Sequence, residues 1–226
     1  MKRLAILGAS GHGQVVAEAA LCAGWDYVEF YDDAYSTTSS FNNFCVKGDF
    51  QNLIDKADLY DGFHVAIGDN SIRLNFLNQL LGFGFNCPNI ISPSAIITKS
   101  ASLGDGISIM ANVVVNAKTI IGDAVILNTS CSVDHDCKIS PGVHISPGAH
   151  LAGNVSIGNR SWIGIGSTII QGRVIGDDSI IGAGSVVISD IPDNVTAVGN
   201  PSKPIRTYFM SKNIDATPTE MSHANG

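Results

Sequence analysis

Residues 109–150 read IMANVV VNAKTI IGDAVI LNTSCS VDHDCK ISPGVH ISPGAH when they are divided into groups of six. Every group begins with an aliphatic residue, and the same column continues in both directions without a gap. A helix has 3.6 residues per turn and a flat strand alternates with a period of two, so neither uses a period of six. A solenoid of hexapeptides does, because each group is one short strand and a bend, with the aliphatic side chain pointing to the axis.

The complete column contains seventeen residues: Ile91, Ile97, Leu103, Ile109, Val115, Ile121, Leu127, Val133, Ile139, Ile145, Leu151, Ile157, Ile163, Ile169, Ile175, Ile181 and Val187. Three groups make one triangular coil, so residues eighteen apart lie one above another at the strand spacing of about 4.8 Å. The sequence therefore predicts a parallel β-helix over residues 89–191. Because parallel coils expose strand edges at both ends, we expect the flanking segments to cover the ends.

Residues 1–88 have a different pattern. Apolar, strand-like segments at 4–7, 27–31 and 63–67 alternate with helical patterns near 15–20, 49–57 and 71–82. This alternation predicts a small parallel βαβ sheet, that is, a Rossmann-like α/β domain. Residues 192–226 would then form a C-terminal cap and a polar tail, which we expect to be disordered.

Composition excludes two classes of function. Twenty acidic against thirteen basic residues give a net charge of −7, which argues against a dedicated nucleic-acid binder. No stretch approaches eighteen consecutive apolar residues, so no membrane span is expected. The N-terminus lacks the small-residue cleavage site of a signal peptide, and we expect a cytoplasmic protein.

His135 is the strongest candidate for chemistry. It occupies the third place of its hexad, outside the inward column, between Asp134 and Asp136. A carboxylate beside an imidazole raises the pKa of the imidazole. Gly153 follows eighteen residues later, so the space above His135 would hold no side chain and would expose a backbone N–H, while Lys118 would lie below Asp136. A base next to a backbone donor is what acyl transfer needs, although a surface histidine is the simpler interpretation.

A metal site is the alternative for the histidines. His144 and His150 hold equivalent places on different faces of the prism, so they cannot converge on one ion within a subunit. A metal shared between subunits, as in hexapeptide-fold carbonic anhydrases, would remain open. We expect no metal.

The N-terminal domain contains a glycine cluster, Gly8-Ala9-Ser10-Gly11-His12-Gly13, in the pattern GxxGxG. It follows a strand and opens a helix, so its amides can face a phosphate. Asp32 and Asp33 end the second strand and Gly68 ends the third, which brings all three to the same sheet edge. The cluster could instead be an ordinary tight turn of a βαβ unit, although His12 is harder to explain in that way.

These residues, taken together, resemble a family. Over nearly its whole length the chain is similar to the bacterial sugar O-/N-acyltransferases of the sialic acid O-acetyltransferase type, and most similar to the UDP-4-amino-sugar N-acetyltransferases of the bacillosamine pathway. Besides the glycine cluster and Asp32-Asp33, the matching segments are 66–73 (AIGDNSIR), 115–118 (VNAK), 125–130 (VILNTS), 135–137 (HDC), 152–154 (AGN) and 198–201 (VGNP).

The resemblance implies a left-handed β-helix, a homotrimer, acetyl-CoA bound between adjacent prisms and a nucleotide-sugar held by the N-terminal domain. It implies that His135 is the general base and that Asp136 raises its basicity. The implied acetyl-CoA contacts are Asn128, His144, Gly153, Ile165 and Ala183. The implied substrate contacts are Ser10, Gly11, His12, Asp32, Asp33 and Gly68. The chain departs from the family twice, with Asp136 in place of a glutamate and Ala183 in place of a glycine.

The expected activity is therefore acetyl-CoA-dependent N-acetylation of the 4-amino group of a UDP-linked amino-deoxy sugar. A sugar hydroxyl, as in sialic acid O-acetylation, is the alternative acceptor. A metal hydratase of the same fold and a non-catalytic trimeric scaffold are alternatives of other classes, although a scaffold needs neither the His135-Asp136 pair nor the glycine cluster. The sequence does not identify the sugar or the preferred acyl chain.

Overall fold

The computed structural model describes residues 1–34, 40–41 and 44–208, and the expected polar tail after residue 208 lies outside them. The first part alternates strands with helices. Its elements are β1 (Arg3–Leu7), α1 (Gly11–Cys22), β2 (Tyr27–Tyr31), β3 (Ser40–Phe41), β4 (Phe44–Cys45), α2 (Phe50–Asp55), a 3₁₀ turn (Ala57–Leu59), β5 (Gly62–Val65) and α3 (Asn70–Gly82). The order β2-β1-β5, all parallel, confirms the Rossmann-like domain, while the short strands β3 and β4 pair antiparallel.

Each helix of this domain begins at a polar side chain that accepts hydrogen bonds from first-turn amides. Ser10 caps α1, Asp69 caps α3, and Asp49 forms a capping box with Asn52 at the start of α2. Such caps satisfy amides that have no partner within the helix. Because α1 and α3 follow β1 and β5, the caps fix both helix N-termini at the carboxyl edge of the sheet.

The hexads form seventeen two-residue strands, and the column residue is the second residue of each. They are β6 (Ile90–Ile91), β7 (Ile96–Ile97), β8 (Ser102–Leu103), β9 (Ser108–Ile109), β10 (Val114–Val115), β11 (Ile120–Ile121), β12 (Ile126–Leu127), β13 (Ser132–Val133), β14 (Lys138–Ile139), β15 (His144–Ile145), β16 (His150–Leu151), β17 (Ser156–Ile157), β18 (Trp162–Ile163), β19 (Thr168–Ile169), β20 (Val174–Ile175), β21 (Ile180–Ile181) and β22 (Val186–Val187). Strands eighteen residues apart pair in parallel. This confirms the predicted β-helix.

The strands form three sheets, which are the faces of the prism. We call them face A (β6, β9, β12, β15, β18 and β21), face B (β7, β10, β13, β16, β19 and β22) and face C (β8, β11, β14, β17 and β20). Each coil runs from face A to B to C. A residue that follows a face A strand therefore lies at the A–B corner, and one that follows a face B strand lies at the B–C corner.

The column residues form the core of the prism. From Ile109 to Val187 every one of them is buried, with at most 2% of its surface exposed. Ile91, Ile97 and Leu103, in the first coil, are only partly buried. The N-terminal domain therefore does not cover the lower end of the prism as we expected, because it packs along the side of face A, where Ile90 and Met110 join its apolar core.

The opposite end is covered by the chain itself. β23 (Val195–Gly199) pairs in parallel with β21 and extends face A, and β24 (Ser202–Thr207) returns antiparallel to it. Val195 and Ala197 are buried against the prism core. In the part of the chain that the structure describes, no helix has the length and apolar character needed to cross a membrane.

The corners of the prism share one backbone conformation. The fourth hexad residue has a positive φ, between 53° and 72°, at fourteen consecutive repeats. These residues are Gly106, Asn112, Lys118, Ala124, Ser130, Asp136, Gly142, Gly148, Asn154, Arg160, Gly166, Gly172, Asp178 and Gly184. This left-handed conformation favours glycine, asparagine and aspartate, which fill most of the column. Asp136 is one of these residues, so the acid beside His135 stands on a corner of defined geometry.

His64 joins the two domains from a fully buried position in β5. Its Nδ1 lies 3.2 Å from the Pro88 carbonyl, which can only accept, so Nδ1 donates and Nε2 accepts from the Ser108 hydroxyl at 2.7 Å. Burial is the main cause that lowers the pKa of His64 to about 4. The folded protein therefore holds this imidazole neutral.

The burial of His64 predicts that stability falls as the pH is lowered from about 6.5 to about 4. In this pH range His64 binds a proton in the unfolded chain but not in the folded chain. Each unit of pKa difference is worth about 1.4 kcal/mol, so the free energy of unfolding falls by roughly 3 kcal/mol. Urea denaturation of wild type and His64→Gln at several pH values measures it. The variant should show a smaller pH dependence, and equal dependence would contradict the prediction.

Candidate active site

His135 and Asp136 form a hydrogen-bonded pair at the B–C corner that follows β13. The His135 Nδ1 lies 2.8 Å from Asp136 Oδ2, and Asp134 Oδ1 accepts the His135 backbone N–H at 2.8 Å. The hydrogen bond that His135 Nδ1 donates to the Asp136 carboxylate is the largest cause that raises the pKa of His135. Because Asp136 occupies Nδ1, Nε2 is the ring nitrogen that has no hydrogen-bond partner among the described residues. The Lys118 side chain, which we expected beneath Asp136, makes no ion pair within the described residues.

Gly153 lies directly against the His135 ring. A Cβ atom placed on Gly153 would lie 2.6 Å from His135 Nε2 and 2.6 Å from Cε1, so only glycine leaves room for this ring position. The predicted stacking is therefore present, but the imidazole itself fills the space that we expected to be empty. Among the described residues, none accepts a hydrogen bond from the Gly153 N–H. A base and an unused backbone donor are thus adjacent.

A cleft of about 470 Å³ opens beside this pair. Its lining residues come from the B–C corners of consecutive coils: Asp134, His135, Ala152, Gly153, Asn154, Gln171 and Gly172. The cleft therefore leaves open space beside the His135-Asp136 pair.

His144 points away from the prism, as expected, yet it is only 8% exposed because the N-terminal domain covers it. Its ring stacks on Trp162 with 5.0 Å between ring centroids and lies 6.5 Å from the ring of His12. Burial is the main cause that lowers the pKa of His144 to about 3 and that of His12 to about 4. Both rings are therefore neutral at pH 7.

The proton position on His144 follows from its neighbour. Asn128 Oδ1 accepts the backbone N–H of Thr129 at 2.8 Å, so the Asn128 Nδ2 group faces His144 Nε2 at 3.2 Å and donates to it. The proton of the neutral ring is consequently on Nδ1, which is buried and has no partner among the residues that the structure describes. A buried donor without an acceptor is what a ligand oxygen would satisfy.

A second pocket, of about 330 Å³, lies at the carboxyl edge of the Rossmann-like sheet. It is lined by Leu7, Gly8, Ser10, Asp32, Asp33, Ala66, Ile67, Gly68, Ile72 and Phe76. Four of the six expected substrate contacts are in this lining, and Gly11 and His12 follow Ser10 in the first turn of α1. We refer to this cavity as the nucleotide pocket.

The two aspartates of the nucleotide pocket differ in what they hold. Asp32 binds backbone with both oxygens, since Oδ2 accepts the Ala9 N–H at 2.8 Å and Oδ1 the Ala34 N–H at 2.9 Å. Asp33 accepts the Phe50 N–H through Oδ1 at 3.1 Å, and its Oδ2 has no partner among the described residues. Asp32 therefore fixes the glycine loop, while Asp33 keeps one oxygen for a ligand.

The glycine cluster combines three functions of glycine. Gly8 has a φ of +112°, and a Cβ on Gly13 would lie 2.2 Å from the Gly8 carbonyl oxygen, so both positions are determined by the close approach of α1 to β1. Gly11 faces open space, with no heavy atom within 4 Å of an added Cβ. The first and third glycines thus serve the turn, and the second leaves room for a ligand.

The expected acetyl-CoA contacts do not converge within one chain. Asn128, Ile165 and Ala183 follow β12, β18 and β21 at the A–B corner, and the last two are exposed. His135 and Gly153 lie at the B–C corner, with the whole of face B between the two sets. His144 and His150 lie on faces A and B, and no group of three metal-ligating side chains occurs among the described residues.

Two residues of the site were not found from the sequence. Trp162 lies eighteen residues after His144, so the hexad register could have indicated the ring stack. Arg73 is buried between the domains, and it follows from no period in the sequence.

Comparison with known proteins identifies both parts of the chain. Residues 3–80 match the model of the PglD N-terminal domain, and residues 154–189 match the bacterial transferase hexapeptide (six repeats). These matches agree with the left-handed β-helix of hexapeptide proteins.

Three solved structures are similar over most of their length. A histidine-to-asparagine variant of perosamine N-acetyltransferase from Caulobacter crescentus, in complex with CoA and GDP-perosamine, is 38% identical; the match covers 90% of this chain and 97% of that one, with a TM-score of 0.86. The acetyltransferase domain of PglB from Neisseria gonorrhoeae, in complex with acetyl coenzyme A, is 42% identical, with coverage of 90% and 99% and a TM-score of 0.87. WeeI from Acinetobacter baumannii is 27% identical, with coverage of 91% and 100% and a TM-score of 0.81.

Proposed function

Since the chain belongs to the family of PglD-type sugar N-acetyltransferases, we propose that it transfers the acetyl group of acetyl-CoA to the 4-amino group of a UDP-linked amino-deoxy sugar, with His135 as general base. The observation that carries this proposal is the contact between the His135-Asp136 pair and Gly153. It combines a base of raised pKa with an unused backbone N–H. Acyl transfer requires both.

The chemistry assigned to these residues is a single displacement. His135 Nε2 removes a proton from the attacking amine, while Asp136 holds the proton on Nδ1 and so keeps the ring in the required tautomer. The amine attacks the thioester carbonyl, the Gly153 N–H donates to the oxyanion, and the CoA thiolate leaves. No covalent bond to the protein is needed, because a neutral amine is already a good nucleophile.

The acetyl-CoA contacts are proposed to come from two copies of the chain. His144 Nδ1 offers a buried donor to the thioester oxygen, and Asn128, Ile165 and Ala183 form the groove at the A–B corner. Because these residues are a full face away from His135 in one prism, the A–B side of one copy has to meet the B–C side of another. A homotrimer of parallel prisms brings them together three times.

The preference for UDP rests on Asp33. Its one unpartnered oxygen matches the single ring N–H of uracil, whereas guanine presents an N1–H and an N2–H side by side and would use both carboxylate oxygens. The apolar part of the nucleotide pocket, with Ile72 and Phe76, offers a surface on which a base can pack. One relative was solved in complex with GDP-perosamine, so the identity of the nucleobase is a separate part of this proposal and has its own test.

Acetylation of a panel of substrates tests the proposal. Purified protein is incubated with acetyl-CoA and with UDP-, GDP- and dTDP-linked 4-amino sugars, and free thiol release is followed together with the product mass. We expect turnover with a UDP-linked 4-amino sugar and none with its 4-hydroxy analogue. Turnover of the hydroxyl sugar would show O-acetylation. Turnover of the GDP-linked sugar alone would show that the nucleobase of the substrate is guanine and not uracil.

Replacing Asp136 by asparagine is expected to shift the acidic limb of the kcat/KM profile to lower pH. The carboxylate raises the pKa of His135, so its loss brings the imidazole back toward its ordinary value of about 6.5 and leaves it neutral at lower pH. The rate at neutral pH should fall less than in His135→Ala, because a weaker base remains. Asp134→Asn, which changes a smaller cause of the shift, serves as the comparison. An unchanged limb in Asp136→Asn would exclude the tuning role.

A further inference from the structure

Arg73, in the first turn of α3, is the largest fully buried side chain in the described part of the molecule, with 1% of its surface exposed. A buried guanidinium is normally paired with a carboxylate, because an unpaired buried charge is strongly unfavourable. No described carboxylate lies within the 4.0 Å ion-pair distance of Arg73, although the Asp69 carboxylate, at the N-cap of the same helix, is near enough to raise its pKa. Burial lowers the pKa of Arg73 only to about 10, so the group remains charged at neutral pH.

All five N–H donors of Arg73 are used by neutral oxygens. Nε donates to the Ala124 carbonyl at 2.8 Å, and Nη1 donates to the carbonyls of Ile67 and Gly68 at 2.9 and 3.1 Å. Nη2 donates to Asn70 Oδ1 and to the Gly142 carbonyl, both at 2.8 Å. No donor is left for a ligand. Arg73 can therefore influence a substrate only through what it positions and through its charge.

The acceptors of Arg73 belong to the two halves of the site. Ile67 and Gly68 line the nucleotide pocket. Ala124 and Gly142 are the left-handed corner residues of two consecutive coils, and they stand just before β12 and β15, which lead to Asn128 and carry His144. The guanidinium thus lies between the nucleotide pocket and the strands of the acetyl-CoA side.

The charge of Arg73 lowers the pKa of nearby histidines. It is a cause of the lowered pKa of His12, which follows the pocket residue Ser10, and of His144. A positive charge that acts on neighbouring titratable groups also acts on an anion placed among them.

We propose that Arg73 is a positioning residue whose buried charge, which forms no ion pair with the described residues, favours an anionic ligand in the nucleotide pocket, so that the diphosphate of the sugar nucleotide supplies a countercharge. The inference rests on the proposed function, since it takes that pocket as the nucleotide site. It assigns to the fold a preference for nucleotides over nucleosides that needs no direct contact with phosphate.

Binding of matched ligands separates charge from structure. Affinities for UDP and uridine, and for GDP and guanosine, are measured by calorimetry on wild type, Arg73→Gln, Arg73→Lys and Lys2→Gln. Lys2→Gln removes the same charge at the amino edge of the sheet, opposite the nucleotide pocket. For whichever nucleobase the wild type binds, Arg73→Gln should lower the affinity for the nucleotide by roughly tenfold or more, and the affinity for the nucleoside by less than about threefold. Lys2→Gln should change neither.

Each other outcome decides the inference. If Arg73→Gln weakens nucleotide and nucleoside equally, Arg73 is only structural, and the proposed function is untouched. Arg73→Lys keeps the positive charge but loses the planar guanidinium and its five donors, so it should retain most of the preference for the nucleotide. Loss of that preference in a folded lysine variant overturns the inference, even if Arg73→Gln does not fold. Absence of all nucleotide binding in the wild type would overturn the proposed function as well.

Discussion

Replacing His135 by alanine is expected to lower kcat by at least about 10²-fold while the fold remains intact. General base catalysis contributes roughly 10²–10⁴-fold, and alanine removes the group that is proposed to accept the amine proton. The His135 side chain is 58% exposed, so its removal opens no cavity in the core. The loss should appear in kcat more than in the KM of either substrate, because the ring takes part in proton transfer in the transition state.

Steady-state kinetics with acetyl-CoA and the accepted amino sugar measure this loss, and circular dichroism checks the fold. His150→Ala is the matched control: it removes a histidine from face B that pairs with Ser132 and has no part in the proposed chemistry. It should keep near-wild-type turnover. Near-full activity of His135→Ala would remove His135 from the mechanism.

Replacing Gly153 by alanine should cost nearly as much activity, although it replaces no ionisable residue. The added Cβ would lie 2.6 Å from two atoms of the His135 ring, which then has to turn away. Gly153 has no positive φ and the ring is exposed, so the backbone can accept alanine and the ring is free to move. A displacement of about 1 Å of a catalytic group lowers rates by about 10²-fold, and we expect a fall of that order.

The position of the ring can be followed directly. The NMR titration of His135 in Gly153→Ala should move toward that of a histidine without a carboxylate partner, because turning the ring breaks its bond to Asp136. Gly82→Ala adds a methyl group to open space near the end of α3 and controls for the substitution itself. Wild-type kcat in Gly153→Ala would show that the contact between glycine and imidazole is dispensable.

The fold could be predicted because its determinants are local and periodic. The aliphatic column assigns every strand from β6 to β22, and the register of eighteen places Gly153 on His135. The fourth column, rich in glycine, asparagine and aspartate, is a second sequence signal for the corners of the prism. These features repeat along the chain, so one coil predicts the next.

The rest of the site depends on how the N-terminal domain packs against face A, and no period in the sequence encodes that contact. His144 was correctly placed outside the prism, yet its burial and neutral state arise from the domain that covers it. Arg73 reads in sequence as an ordinary helical arginine, and only the docked structure shows that its partners are carbonyls of both domains. For the same reason the partly exposed first coil was missed.

The repeated left-handed corner also bears on how such a protein can evolve. The B–C corner repeats in successive coils with nearly the same backbone φ, at Asp136, Asn154 and Gly172. A reactive side chain placed on this edge inherits its orientation from the scaffold, and its height changes in steps of one coil, about 4.8 Å. Point substitution along the edge can therefore raise or lower a catalytic group relative to the sugar domain without the invention of a new loop.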